Sequence, residues 1–250
     1  IKYTFDYVCI LGDRLELLSI LINSLIYNKK IIHIGGGDTT EGAFDNTIRD
    51  MISKASFLHF VLIKNHKQKL IQMNCKKNSI YVVGSLAIDT IKKLKFAPKA
   101  TIFNKMNLNI NLKTVIFSFH PCYADLKKIS NIGNFFEDIL KLLLELNLQV
   151  ILTYPGLEIE SDNIIKKINE FKKKNIKNLF IYKSLGIANF NNALKNSDLI
   201  IGNSSAGIVE APYHNIPTVN IGDRQKGRFF HESIIDCSYN LNKIKDSIRK

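Results

Sequence analysis

The 250-residue sequence predicts an α/β protein made of two Rossmann-like domains facing a cleft, and three observations predict it. Short apolar runs bounded by glycine or polar residues alternate with segments whose apolar residues recur at helical spacing, as in parallel strands joined by helices. The alternation breaks once, between Leu94 and Leu112, where lysine, asparagine and Pro98 replace it. This divides the chain into a first domain over 1–95, a connection over 96–112 and a second domain over 113–250. The most polar, glycine-rich turns follow the carboxyl ends of apolar runs, where open parallel sheets bind their ligands.

Taken in order, Asp6–Leu11 reads as a strand ending in Gly12-Asp13-Arg14, and Leu17, Leu18, Leu21, Ile22 and Leu25 then mark a helix. Lys30–Ile34 is a second strand running into Gly35-Gly36-Gly37. Over Ala43–Ala55, the residues Phe44, Ile48, Met51, Ile52 and Ala55 share one face of an amphipathic helix. Leu58–Ile63 is a third strand, Lys64–Met73 a helix and Ile80–Val83 a fourth strand. Beyond the connection, strands over Thr114–Phe119, Gln149–Tyr154, Asn178–Tyr182, Asp198–Ile201 and Thr218–Ile221 alternate with helices. Those helices cover Asn134–Leu146, Asn163–Lys174, Ile187–Asn196 and a segment stopping near His214 and Asn215.

Composition narrows the classes. The hydrophobic content of 46% is that of an ordinary globular protein. No apolar run reaches the ~18 residues of a membrane span, so no membrane partner is expected. The net charge of +13 is carried mainly by lysine. Its densest runs, Lys166-Lys167 and Lys172-Lys173-Lys174, fall on one amphipathic helix, which reads as a solvated face and not as a nucleic-acid surface. Cys9, Cys75, Cys122 and Cys237 form no CxxC pair, which argues against a structural zinc site or a disulfide scaffold and for a reducing cytoplasm. No His, Asp and Glu set has metal-ligand spacing such as HExxH, so no metal site is expected.

Chemistry then rests on the turns. In Gly202-Asn203-Ser204-Ser205-Ala206-Gly207, a strand end, a loop of small residues and a helix start bring backbone N–H groups together, which suits a phosphate or diphosphate. Glu210, one helical turn on, could accept from ribose hydroxyls; an ordinary Ser-capped turn is the plain alternative. Asp13 is a candidate acid or base, or the N-cap of the next helix. Asp38 and Asp45 flank the start of the second helix and could divide acid and base roles or only cap it, with Arg49 spaced to pair with Asp45. His120, held before Pro121, could donate to a phosphate or shuttle a proton, or serve as a cap; His33 and His59 read as structural. Arg224, Lys226 and Arg228 form a cationic loop able to clamp a phosphate or pair with a carboxylate.

Together the runs GDRLE (12–16), HIGGGDTTEGAFDNTIR (33–49), GSLAID (84–89), FHP (119–121), GNSSAGIVEAP (202–212) and NIGDRQKGR (220–228) resemble the hydrolysing UDP-N-acetylglucosamine 2-epimerases of sialic and related nonulosonic acid synthesis. The resemblance implies the two-domain GT-B fold, with UDP held mainly by the second domain. It implies conversion of a UDP-sugar, UDP-N-acetylglucosamine, to UDP and N-acetylmannosamine by elimination to a glycal and hydration, without metal or redox cofactor. Asp13 and Asp45 match the family's catalytic carboxylates, and His120 its cleft histidine. Ser204, Ser205, Ala206 and Gly207 match its diphosphate loop, and Glu210 its ribose ligand; Arg224 joins the diphosphate set. Some relatives carry a glutamate where this chain has Gly35, and Asp38 is the nearest carboxylate to it. Relatives also often show an asparagine after the proline of Tyr154-Pro155-Gly156-Leu157-Glu158. The first domain is expected to be incomplete, the chain to be a fragment, and the full-length protein to be a homo-oligomer. The same motifs serve UDP-N,N′-diacetylbacillosamine, and a GT-B glycosyltransferase is the further alternative.

Overall fold

Runs of β-branched and aromatic residues set short strands, and every strand pairing between them is parallel, so each connection crosses over through a helix or long loop. The computed structural model describes residues 4–41, 45–122, 128–156 and 158–250. Its chain divides into two units, Ile1–Leu86 and Ala87–Lys250.

In the first unit, strands β1 (Tyr7–Leu11), β2 (Lys30–Ile34), β3 (Leu58–Val61) and β4 (Ile80–Val82) lie side by side in chain order. They are joined by helices α1 (Leu17–Ile26), α2 (Asp45–Ala55) and α3 (Lys64–Gln72). Ile10 and Ile31 from the sheet meet Leu21 of α1 and Ile48 and Ile52 of α2 in one buried cluster, while Leu70 of α3 packs on Val61 and Ile80. The periodicity that predicts α2 also includes Ala43 and Phe44, which lie outside the described residues.

The second unit opens with two helices, α4 (Leu86–Lys92) and α5 (Lys99–Lys105). Segment 96–112, read above as a connection, is in fact packed: Ile102, Phe103, Met106 and Leu108 are buried against Ile116, Ile151 and Ile200. Asn104 and Lys105 on the exposed face of α5 interrupt the apolar spacing in so short a helix. The sheet then assembles from β5 (Thr114–Ser118), β6 (Gln149–Thr153), β7 (Leu179–Tyr182), β8 (Leu199–Gly202), β9 (Thr218–Ile221) and β10 (Ile234–Cys237), in the spatial order β10-β9-β8-β5-β6-β7. The helices are α6 (Ile132–Glu145), α7 (Ser161–Lys173), α8 (Gly186–Asn196), α9 (Ala206–Tyr213) and α10 (Leu241–Arg249). β10 and α10 go beyond the sequence reading, whose last named element is the strand over Thr218–Ile221. The half-exposed β10, Ile-Ile-Asp-Cys, is too short and mixed to declare itself.

This sheet is buried on both faces. Val115 and Phe117 of β5 point into one layer with Phe136, Leu140 and Ile168, and Ile116 between them points into the other. Phe117 stacks on Phe136 with ring centroids 5.0 Å apart. The order also contains a switch point: from β5 the chain moves outward to β6 and β7, then returns to place β8 on the other side of β5. Loops leaving β5 and β8 therefore emerge next to one another at the carboxyl edge, where doubly wound sheets bind ligands. Among the described residues, no helix is long and apolar enough to cross a membrane.

Candidate functional site

The switch point brings His120 and the loop after β8 together. Gly202 pairs with Ser118 across the two strands and has φ +131°. A Cβ there would stand 1.9 Å from the Ser118 carbonyl oxygen, so only glycine lets the β8 turn approach β5 this closely. Asn203 follows, fully buried. Its Oδ1 accepts from the His120 N–H at 2.7 Å, and its Nδ2 donates to the His120 carbonyl at 2.6 Å. Its own carbonyl accepts from Gln225 Nε2 at 2.7 Å and from Arg224 Nη1 at 3.1 Å. One side chain and its peptide thus tie together the β5 loop, the β8 loop and the loop after β9.

The imidazole of His120 is half-buried. Its Nδ1 lies 3.2 Å from Glu158 Oε1 and 3.2 Å from the Gly156 nitrogen, and its Nε2 lies 3.5 Å from Ser118 Oγ. Arg224 Nη2 approaches the same Glu158 oxygen at 3.5 Å. Burial works to raise the Glu158 carboxyl, but the hydrogen bond and charge of His120, with Arg224 behind them, hold it below the ordinary glutamate value. The 154–158 turn singled out in the sequence contains Leu157, which lies outside the described residues.

Helix α9 begins immediately beyond the loop. The N-cap residue is Ser205, whose side chain makes no capping hydrogen bond; Ser204 Oγ instead accepts from the Ala206 N–H at 3.3 Å in a short turn before the helix. Thr218 Oγ1 donates to the Gly207 carbonyl at 2.8 Å, and a Cβ at 207 would lie 2.7 Å from Thr218 Cγ2. Gly207 therefore seats the helix against β9, which holds its N-terminus at the sheet edge. Glu210 sits one turn on and is half-buried. Burial pushes its carboxyl above the ordinary value, opposed by a hydrogen bond to its own backbone and by the charge of Arg228. A carboxyl raised on folding adds stability only while protonated and loses it as pH rises through the folded value. Glu210→Gln is therefore expected to raise the melting temperature at pH 7, and to lose that advantage near pH 4 and below, where the glutamate is protonated in both states. An unchanged melting temperature across that range would remove the argument.

The first unit carries a separate cluster. Arg49 on α2, 3% exposed, forms an ion pair with Asp13 beyond the end of β1, a partner that its local spacing does not announce. It also donates to the Asp38 carbonyl at 3.1 Å and Thr40 Oγ1 at 3.2 Å. Asp13 does not cap α1, whose N-cap is Glu16. Asp38 accepts from the Thr39 N–H at 2.8 Å, stands 3.4 Å from His66 Nε2, and its carbonyl accepts from Lys69 at 3.0 Å. Asp45 opens α2 in its first turn, one turn before Arg49. His33 is fully buried, with Nε2 2.9 Å from the Gly12 carbonyl and Nδ1 3.0 Å from Ser53 Oγ. Because a carbonyl only accepts, Nε2 carries the proton. Burial keeps the ring's proton affinity down against that carbonyl and the charge of Asp50, so His33 pins the Gly12-Asp13 turn as a neutral group. Burial and then the charge of His33 push His59 down to about 4, as befits a structural histidine. Among the described residues, no three His, Cys, Asp or Glu side chains form a metal site.

The sequence candidates thus fall into two sets. The Asp13 carboxylate and the Asp38 carbonyl meet Arg49 in the first unit, with Asp45 one helical turn before it; His120, Ser204, Ser205, Ala206, Gly207, Glu210 and Arg224 gather at the switch point of the second. Sequence reading assigned no part to Asn203 or Glu158. The one available signal for Asn203 was an amide directly after a buried strand, and for Glu158 a carboxylate following a proline-glycine turn.

The whole chain, residues 1–250, matches the family model described as UDP-N-acetylglucosamine 2-epimerase. It is 34% identical to the GDP/UDP-N,N′-diacetylbacillosamine 2-epimerase (hydrolyzing) of Campylobacter jejuni over 94% of this chain and 61% of that protein. It is 31% identical to the UDP-N,N′-diacetylbacillosamine 2-epimerase (hydrolyzing) of Legionella pneumophila over 99% of this chain and 64% of that protein. The chain therefore spans less than two thirds of the length of these curated relatives. A solved UDP-GlcNAc 2-epimerase of Methanocaldococcus jannaschii, in complex with UDP-GlcNAc and UDP, superposes with a TM-score of 0.77 at 19% identity, over 98% of this chain and 68% of that one. That likeness establishes the fold as the GT-B type of parallel α/β units.

Proposed function

Because the chain belongs to the UDP-N-acetylglucosamine 2-epimerase family, we propose that it acts on a UDP-linked acetamido sugar, releasing UDP and inverting the configuration at C2. The observation that carries this reading is the switch-point constellation, in which Asn203 ties His120 and Arg224 to the serine loop and helix start of α9. Such a set offers an anionic diphosphate backbone N–H groups, hydroxyls, a guanidinium and an imidazole from one edge of a sheet. Glu210 takes the ribose hydroxyls, which explains why a carboxylate is kept where burial disfavours its charge.

The reaction proceeds as an elimination and an addition. A carboxylate of the first unit takes the C2 proton, the electrons of that C–H bond form the C1=C2 bond, and the C1–O bond breaks to release UDP. Water then adds, its oxygen to C1 and a proton to C2 on the opposite face. In this scheme Asp13 and Asp45 are the acid and base, Asp38 is a further acid close to them, and His120 with Arg224 stabilises charge on the departing diphosphate. No metal or cofactor enters.

Two sugars fit the reading. The family model's description favours UDP-N-acetylglucosamine, and the names of the Campylobacter and Legionella relatives favour UDP-N,N′-diacetylbacillosamine. Incubation with each sugar in D2O, followed by NMR, tests both. Release of UDP together with a free sugar inverted and deuterated at C2 is the expected result. A product formed only when an acceptor is added would replace the proposal with a glycosyl transfer.

A further inference from the structure

Glu158 has no part in the scheme above, yet its carboxylate lies against the His120 ring. Its Oε1 lies 3.2 Å from His120 Nδ1 and 3.5 Å from Arg224 Nη2, so one oxygen is shared between the two groups assigned to the diphosphate. Gly156 makes the room for it. A Cβ at 156 would stand 2.8 Å from Glu158 Oε2 and 3.1 Å from Oε1, so the carboxyl lies folded over the space that a side chain at 156 would enter. At the other end, Ser161 donates its N–H to the Glu158 carbonyl at 3.2 Å, which joins the turn to the start of α7. His120 is held just as firmly, its peptide bracketed on both sides by the Asn203 amide. What remains open is the proton on Nδ1. The Gly156 N–H, at 3.2 Å, can only donate and calls for a bare Nδ1; Glu158 can only accept and calls for a protonated one. Ser118 Oγ, on the Nε2 side of the ring, is neutral, and Thr153 Oγ1 donates to it at 3.0 Å.

We propose that Glu158 is a positioning residue for His120, and that the ring acts with both nitrogens protonated, giving Nδ1–H to Glu158 and Nε2–H to the leaving diphosphate. A charge-assisted bond outweighs the neutral one from Gly156, so the anion decides that Nδ1 keeps its proton. Arg224 keeps the arrangement from repelling that ligand by offsetting the negative charge of Glu158. The inference rests on the reading of His120 as a group that meets the diphosphate.

The test follows the His120 imidazole directly, by nitrogen NMR of histidine-labelled protein at fixed pH in the presence of UDP, with its signals identified by loss in His120→Gln. Both ring nitrogens of the unaltered protein should read as protonated; in Glu158→Gln the Nδ1 signal is expected to move toward that of a bare nitrogen accepting from Gly156, since a charged acceptor has become a neutral one. Gly156→Ala is the second variant. Gly156 lies outside the left-handed region, and its new methyl meets the end of the Glu158 side chain, so the fold should tolerate it while the carboxyl moves aside. It is expected to move the Nδ1 signal in the same direction. Both variants should reduce kcat about tenfold and leave KM and the dissociation constant for UDP within about threefold. An Nδ1 signal unmoved in both variants would overturn the proposal, and so would a fall in kcat without any such movement. If the unaltered protein releases no UDP from either sugar, the functional reading fails, and the nitrogen signals still decide whether Glu158 governs His120.

Discussion

Asp13→Asn is expected to lower kcat about a thousandfold while the affinity for UDP stays within twofold of the parent. Asp13 stands at the carboxyl end of β1, where Gly12 donates its N–H to the Ile34 carbonyl at 2.9 Å and His33 holds the Gly12 carbonyl from the other side. Its carboxylate is further fixed by Arg49, whose side chain is 3% exposed against 24% for Asp13. Asparagine keeps the shape and one oxygen for Arg49 but cannot take a proton from C2. The change also leaves a buried guanidinium without that counter-charge, which should cost about 3 kcal/mol in the first unit. Steady-state UDP release, measured below the onset of a circular-dichroism melt, separates lost chemistry from lost structure. Turnover near that of the parent would remove Asp13 from the mechanism.

Asn203→Leu carries the largest expected effect on stability, about 4 kcal/mol, together with at least a tenfold loss of UDP affinity. Leucine fills a similar volume but leaves both the His120 N–H and its carbonyl without the amide that bonds them at 2.7 and 2.6 Å, each a loss of about 1–3 kcal/mol. Asn203→Asp should fall between, because its carboxylate still accepts from the His120 N–H but faces the His120 carbonyl with another acceptor. Denaturant melts and UDP titration calorimetry measure the pair. A leucine variant as stable as the parent would mean that Asn203 is not what brings the three loops together.

Strands β1, β2, β5, β6, β8 and β9 are legible in the sequence within a residue or so, because uninterrupted runs such as Thr114-Val115-Ile116-Phe117 have no amphipathic reading. Helices α6 and α7 are equally legible, since their buried residues, among them Phe136, Leu140, Leu143, Ile164, Ile168 and Phe171, keep strict helical spacing. The failures have physical causes. Helix α5 has seven residues, too short to show two turns of periodicity, and its burial depends on Ile116 and Ile151, which are brought to it by the sheet. Arg49 illustrates the same limit for charge: local spacing points to Asp45, and the turn after β1 also brings Asp13 to it from 36 residues away.

What the sequence by itself determined is the list of elements and the chemical character of each turn: carboxylates after β1 and β2, a histidine after β5, serines and glycines after β8. These follow from hydrophobic period and turn chemistry, which are properties of neighbours along the chain. Which turns meet was decided only by tertiary structure. His120 and Asn203 are 83 residues apart and touch because β8 returns to pair with β5, and Glu158 reaches His120 because Gly156 leaves it space. Parallel pairing and close approach join residues distant in the chain, and no local pattern encodes those distances.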